Sequence, residues 1–333
     1  MEKKTPLDPA TRREVIEGLL SNIRENYVFP TVAEAIDAAI HQRLQGGEYE
    51  TITTAEIFAH QLTSHLQEIS KDTHLHLFHT SEELPARPDP EEPAPKWWEE
   101  SWPFQNFGFE KVERLPGNIG YLDVRAFYSP EFAGDVAIAA MNFLANTSVL
   151  IIDLRKNDGG EPAMVALICS YFFDAEPVHL NSFYWRTSDS TQQVWTLPYV
   201  PGKRYLGKPV YLLTSRDTVS GAEEFAYTLK HMKRATVIGE VTGGAAHPGE
   251  VYKIHPHFGA FIPTGRPISP ITGTDWEGTG VIPDIEIPQD QALKAAQVLA
   301  LKQLLETSGA NEARDQRWFV KEATDALAEL EQK

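Results

Sequence analysis

Val210-Tyr211-Leu212-Leu213-Thr214-Ser215-Arg216-Asp217-Thr218-Val219-Ser220-Gly221-Ala222-Glu223-Glu224-Phe225-Ala226 is the stretch whose reading decides the fold. An apolar strand over Val210 to Thr214 runs through a short polar turn into a helix, and that helix starts at Ser220. A serine so placed stands beside backbone N–H groups that have no partner inside the helix, at the positive end of the helix dipole. Acyl-transfer chemistry needs a nucleophile and oxyanion donors side by side, which makes Ser220 a candidate nucleophile. The same residues, Ser220-Gly221-Ala222-Glu223, also fit a capping box in which the hydroxyl only serves the N–H of Glu223. The local pattern admits both readings.

Working outward, the same alternation recurs upstream. Ile119 to Val124 reads as a strand, Phe132 to Leu144 as a helix, and Val149-Leu150-Ile151-Ile152-Asp153-Leu154 as a strand apolar throughout, as in a sheet covered on both faces. After Gly159-Gly160 a helix runs from Pro162 to about Phe172. Strand, glycine turn, helix, strand, turn, helix is the pattern of parallel βαβ units, so the fold class is α/β.

The flanks are of a different character. From Asp8 to Ile69 apolar residues recur at helical spacing (Val15, Leu19, Ile23; Val32, Ile36, Ile40; Ile57, Leu62, Leu66), punctuated by Pro30 and Gly46-Gly47. Three helices in a small bundle are expected, starting near Asp8-Pro9 and Thr54 at the outer two. Ser81 to Pro103 is acidic and rich in proline, a composition for an extended linker, and it ends in Trp97, Trp98 and Trp102, which are expected to pack it onto a domain. The linear division is therefore a bundle over 1–80, a linker over 81–106, a core over 107–289 and a helical segment over 290–333.

Composition excludes several classes. A formal charge of −17 with no clustered Lys or Arg argues against a nucleic-acid partner. No run of about eighteen apolar residues is present to span a membrane. The single cysteine, Cys169, lies in an apolar run, cannot form an intrachain disulfide, and is expected to be a buried structural thiol. The first residues show no apolar signal segment, so the chain reads as cytoplasmic, or as periplasmic or secreted if a leader has been removed.

Five motifs in order, Gly120-Tyr121-Leu122, Asp153-Leu154-Arg155-Lys156-Asn157-Asp158-Gly159-Gly160, Ser220-Gly221-Ala222-Glu223, Gly239-Glu240-Val241-Thr242-Gly243-Gly244 and Gly280-Val281-Ile282-Pro283-Asp284, carry a resemblance. Over most of Asp72 to Pro288 the chain resembles the C-terminal processing (tail-specific) serine protease family, in the branch of tricorn protease and the interphotoreceptor retinoid-binding protein repeats; the N-terminal bundle is similar too. The resemblance implies a crotonase/Clp protease-like core, a serine peptidase acting on peptide or protein substrates through an acyl-enzyme, and no cofactor or metal. It implies Ser220 as nucleophile and the amides of Gly221 and Gly159 as the oxyanion hole. A PDZ domain, carried by related processing enzymes, has no evident room between bundle and core.

One departure is informative. The processing proteases with a Ser/Lys pair have a lysine after the glycine turn, whereas here Gly244 is followed by Ala245. A serine hydroxyl needs a neighbour to take its proton, and the tricorn-like branch supplies a histidine in an Asp-x-His turn. Asp72-Thr73-His74 matches it, so His74 is implied as base, with Thr73 and Glu277 completing a set that fixes the imidazole. His247, after the glycine turn, is a second candidate for base or substrate contact, and Gly160 is a candidate substrate contact.

Other readings stand beside these. His74 and His76 on one strand would share a face, as paired metal ligands do, but neither a Glu-x-x-His nor a cysteine accompanies them. Asp153 and Arg155 are expected to form a structural ion pair, and Glu223 and Glu224 to compensate the helix dipole. On the same fold, the alternative to an enzyme is an inactive binding protein for a small apolar ligand.

Overall fold

The computed structural model describes residues 7–85, 101–307 and 317–332. Trp97, Trp98 and most of the proline-rich segment lie outside them. In chain order the elements are α1 (Pro9–Asn26), α2 (Pro30–Gln45), α3 (Ala55–Ser70), β1 (His76–His79), β2 (Phe109–Leu115), β3 (Ile119–Val124), α4 (Pro130–Leu144), β4 (Val149–Asp153), α5 (Pro162–Cys169) and β5 (His179–Trp185). There follow β6 (Ser190–Trp195), β7 (Val210–Thr214), α6 (Gly221–His231), β8 (Thr236–Gly239), β9 (Gly249–His255), β10 (Phe258–Pro263), β11 (Gly265–Ile268), β12 (Ile285–Glu286), α7 (Gln289–Thr307) and α8 (Arg317–Gln332).

Compactness groups these elements differently from their linear order. The first of two units draws on residues up to 85, on 182–192 and on 245–268; the second on 101–181, 193–244 and 269 onward. Two short segments of the expected core thus belong with the helical bundle, and the C-terminal helices belong with the core.

In the first unit, Asp8 caps α1 by accepting from the N–H groups of Ala10 and Thr11 at 2.9 and 3.0 Å, with Pro9 at the first helical position. Pro30 opens α2, Gly46 closes it, and Lys71 ends α3 in the left-handed region at φ 58. The apolar faces of the three helices bury Val15, Leu19, Ile23, Ile36, Phe58, Leu62 and Leu66. That core is completed by Tyr252, Phe258, Ala260 and Ile262 from an antiparallel sheet of order β1-β10-β9. The bundle therefore needs its sheet. Three helices of this length leave one apolar side uncovered, and the hairpin of β9 and β10 fills it.

The second unit is built on a six-stranded sheet of order β12-β8-β7-β4-β3-β2, parallel from β12 to β3 with β2 antiparallel at the edge. Every residue of β4 and of β7 is buried, as expected of strands covered on both faces. One face, with Tyr121, Val149, Ile151, Tyr211, Leu213 and Ile238, packs on Ala292, Ala296, Ala300 and Leu301 of α7. On the other, the missing side chain of Gly120 makes room for Leu144 of α4. The expected structural role of Cys169 is met: the thiol is fully buried, and burial pushes its pKa well up. No helix among the described residues is long and apolar enough to cross a membrane.

Candidate active site

Because β4, β7 and β8 are neighbours in a parallel sheet, their C-terminal turns emerge side by side, the usual place for a ligand site in an open α/β sheet. The turn after β7 is tied down first. Thr218 Oγ1 donates to the Leu154 carbonyl at 2.8 Å, Ser215 Oγ to the Arg155 carbonyl at 2.6 Å, and the Val219 N–H to the Asn157 carbonyl at 3.1 Å. These bonds fix Ser220 at the entry to α6 with φ 55 and ψ −123, outside the regions an ordinary residue adopts. A non-glycine residue held there costs ~1–3 kcal/mol and persists only where its surroundings impose it.

Two glycines make this approach feasible. Gly159 has φ +90, and a Cβ on it would stand 2.7 Å from the Gly221 nitrogen and 2.7 Å from Ser220 Cβ. A Cβ on Gly221 would meet the Gly160 carbonyl oxygen at 2.7 Å. The turn after β4 therefore lies directly against the start of α6, and Ser220, Gly221, Gly159 and Gly160 converge within one unit.

The amide donors around this turn are engaged to different degrees. The Gly159 N–H is already used: it donates to Asn157 Oδ1 at 2.8 Å, in a turn where the Asn157 amide also bonds the Val124 carbonyl at 2.9 Å. The Gly159 N–H is thus engaged within its own turn, and the lack of a side chain at Gly159 is what lets that turn approach Ser220. The N–H groups of Gly160 and Gly221 make no hydrogen bond among the described residues, and Gly160 is exposed.

Glu223 stands on the first turn of α6, where a carboxylate compensates the helix dipole, and it is fully buried. Its carboxylate accepts from the Ser220 N–H at 2.9 Å, from Thr242 Oγ1 at 2.5 Å and from the Gly244 N–H at 2.7 Å. The capping box read in the sequence is formed: the Glu223 N–H faces the Ser220 side chain as well as the Ser220 carbonyl, the latter at 2.8 Å, while the Glu223 carboxylate serves the Ser220 N–H. Thr242 Oγ1 in turn accepts from the Val281 N–H at 2.6 Å, and the Gly278 N–H donates to the Gly244 carbonyl at 2.9 Å. Through these bonds the turn bearing the half-buried Glu277 is anchored to the turn bearing Ser220.

Glu224, the next residue, is also buried and accepts from Asn181 Nδ2 at 3.3 Å. Burial pushes its pKa up to about 7. The expected Asp153–Arg155 ion pair is present, at 2.5 Å, with the Tyr121 hydroxyl donating to Asp153 at 2.8 Å. Burial works to raise the Asp153 pKa, but the bonds from Arg155 and Tyr121 outweigh it and hold the carboxyl below its ordinary value.

The remaining sequence candidates lie in the first unit. His74 sits in the turn before β1, not on a strand with His76, and is half-buried beside Phe261 with ring centroids 5.9 Å apart. Thr73 is exposed, its carbonyl accepting from Gln67 Nε2 at 2.9 Å. His247 is buried and places Nδ1 2.8 Å from Asp72 Oδ2. His76 turns Nδ1 back to the His74 carbonyl at 2.7 Å and stacks on Phe261, a structural role. What the sequence reading misses is Asp72 itself: its carboxylate is 1% exposed and takes the His74 N–H at 3.0 Å as well as His247. Only the Asp-x-His spacing hinted at it.

The model of peptidase family S41 matches residues 118–287, just over half of the sequence. This chain belongs to peptidase family S41. Residues 10–105 match the N-terminal domain of the S41 peptidase in eukaryotic IRBP, in line with the resemblance of the bundle. Among curated proteins, the carboxyl-terminal-processing peptidase 2 of Arabidopsis thaliana, a chloroplastic protein, is 26% identical over 185 residues, covering 53% of this chain and 34% of the relative. The chain thus matches about a third of that relative's length. Among solved structures, a candidate peptidase from Parabacteroides merdae has a TM-score of 0.62 at 20% identity, covering 87% of this chain and 96% of that one. The tricorn protease has a TM-score of 0.55 at 13% identity, over 89% of this chain and 37% of that one. At such identities the structures speak for the fold, and the fold is the one the resemblance implies.

Proposed function

We propose that this S41 chain is a serine peptidase that hydrolyses peptide bonds through an acyl-enzyme, with Ser220 as nucleophile. The observation that carries the reading is the conformation of Ser220: a non-glycine residue at φ 55 on a strand-to-helix turn, with the Gly221 and Gly160 amides beside it. Such a strained elbow presents a hydroxyl ahead of the helix, with amide donors where charge develops. Family membership and the processing-peptidase relative support the same reaction class.

In this reading His74 takes the Ser220 proton and returns it to the leaving amine. Glu277, by way of Thr73, orients the imidazole and favours its charged form. The amides of Gly221 and Gly160 hold the oxyanion. Peptide hydrolysis by the full chain is the test. Ser220→Ala and His74→Ala should each lower kcat by ~10⁴-fold or more while the proteins stay folded. Undiminished turnover in Ser220→Ala would sink the proposal, and a wild-type chain that turns over no peptide would favour a ligand-binding scaffold.

A further inference from the structure

Asp72 lies at a junction of three chain segments in the first unit. It follows the left-handed Lys71 that ends α3, and its own N–H rests on Ser70 Oγ at 3.1 Å. Oδ1 accepts the His74 N–H at 3.0 Å. Oδ2 accepts the Tyr27 hydroxyl at 3.1 Å, from the residue that closes α1, and pairs with His247 Nδ1 at 2.8 Å. The His247 ring is itself held edge-on by Phe29, with centroids 5.3 Å apart. Asp72 is 1% exposed and His247 4%.

Stability alone does not account for this arrangement. Taking a carboxylate and an imidazole out of water costs about as much as their attraction returns, and apolar residues of similar volume do the same packing as well or better. What a buried carboxylate does that a leucine cannot is to fix directions. One oxygen sets the backbone of the His74 turn, as an Asx-type bond two residues on. The other sets the tautomer and orientation of the His247 ring by accepting from Nδ1–H.

We propose that Asp72 is a positioning residue that locks the His74 turn to His247, so that His247 governs the placement of His74 without itself touching the reacting atoms. The proposal rests on the reading of His74 as the base of the Ser220 reaction. His247→Leu removes the donor to Asp72 and frees the carboxylate to turn, whereas His247→Asn keeps an N–H near the position of Nδ1. Asp72→Asn keeps the side chain's shape and an acceptor for His74, but cannot accept from His247 and Tyr27 as the carboxylate does.

The test uses the full chain and measures kcat and KM for a peptide, the fluorophosphonate labelling rate of Ser220, and the melting temperature. A misplacement of about 1 Å in a catalytic group costs on the order of 10²-fold in rate. His247→Leu and Asp72→Asn should therefore each lower kcat by ~10²-fold with KM changed less than about 2-fold. The double variant should be little worse than either single one, and His247→Asn should recover most of the loss. Wild-type kcat in folded His247→Leu and in folded Asp72→Asn would overturn the inference and leave the Ser220 reading intact. So would a His247→Asn as dead as His247→Leu with activity surviving in His74→Ala, which would make His247 the base. A wild-type chain that does not label fails earlier, at the Ser220 reading, and takes this inference with it.

Discussion

Replacing Glu224 by Gln should change how stability depends on pH, by an amount the structure sets. The carboxyl is 2% exposed at the start of α6, accepts from Asn181, and faces the buried Cys169 thiol, which stays protonated. Burial raises its pKa from 4.5 to about 7. For an acid shifted upward, the unfolded chain has released its proton between those values while the folded chain still holds it. Stability therefore falls as pH rises from about 4.5 to about 7 and is level above that. At ~1.4 kcal/mol per pH unit the full loss is ~3 kcal/mol, an upper figure because a buried site relaxes when it ionises. Gln has the same shape, still accepts from Asn181, and does not ionise. Thermal unfolding followed by circular dichroism at pH 5 and pH 8 reads the effect. The variant should match the wild type at pH 5 within ~1 kcal/mol and exceed it at pH 8 by up to ~3 kcal/mol, several degrees in melting temperature. A variant with the wild-type pH dependence, or one less stable at both pH values, would refute the argument.

Gly159→Ala should misplace the nucleophile, because the new Cβ falls 2.7 Å from Ser220 Cβ and the Gly221 nitrogen at φ +90; Ser220 labelling should drop by ~10²-fold or more. Gly207→Ala, at φ +67 with nothing within 4 Å, is the control and should cost only ~1–2 kcal/mol of backbone strain at unchanged activity. Glu223→Gln presents amide hydrogens to N–H and O–H donors that now share one carboxylate, and each donor left unpaired should cost ~1–3 kcal/mol in unfolding and slow Ser220 labelling. Equal labelling rates in Glu223→Gln and wild type would show that the turn holds its shape without the carboxylate.

The elements nearest the nucleophile are the ones most legible in the sequence. The strand at Val210 to Thr214, the helix after Ser220 and the buried strand at Val149 to Asp153 stand where apolar runs and turn residues put them, since a parallel sheet covered on both faces admits little else. The strands β5, β6, β9 and β10 carried a weaker signal: in β9 the exposed Val251 stands beside the buried Tyr252, which blurs the apolar/polar alternation. The grouping of those strands with the bundle was not legible, because no local pattern states which distant surface an apolar face will cover. The same holds for Asp72, whose partner His247 is 175 residues away. Glu223 looks from sequence like any first-turn carboxylate, and only the return of Thr242 and Gly244 onto α6 makes it a buried anchor.

The central claim is that the hydroxyl of Ser220 is an activated nucleophile, and covalent capture addresses it most directly. The folded full chain, treated with a fluorophosphonate and mapped by peptide mass spectrometry, should carry one adduct, on Ser220, that is absent from Ser220→Ala and from chain unfolded before treatment. Folded protein that gains no adduct, or gains it on another residue with Ser220 unmodified, would contradict the account.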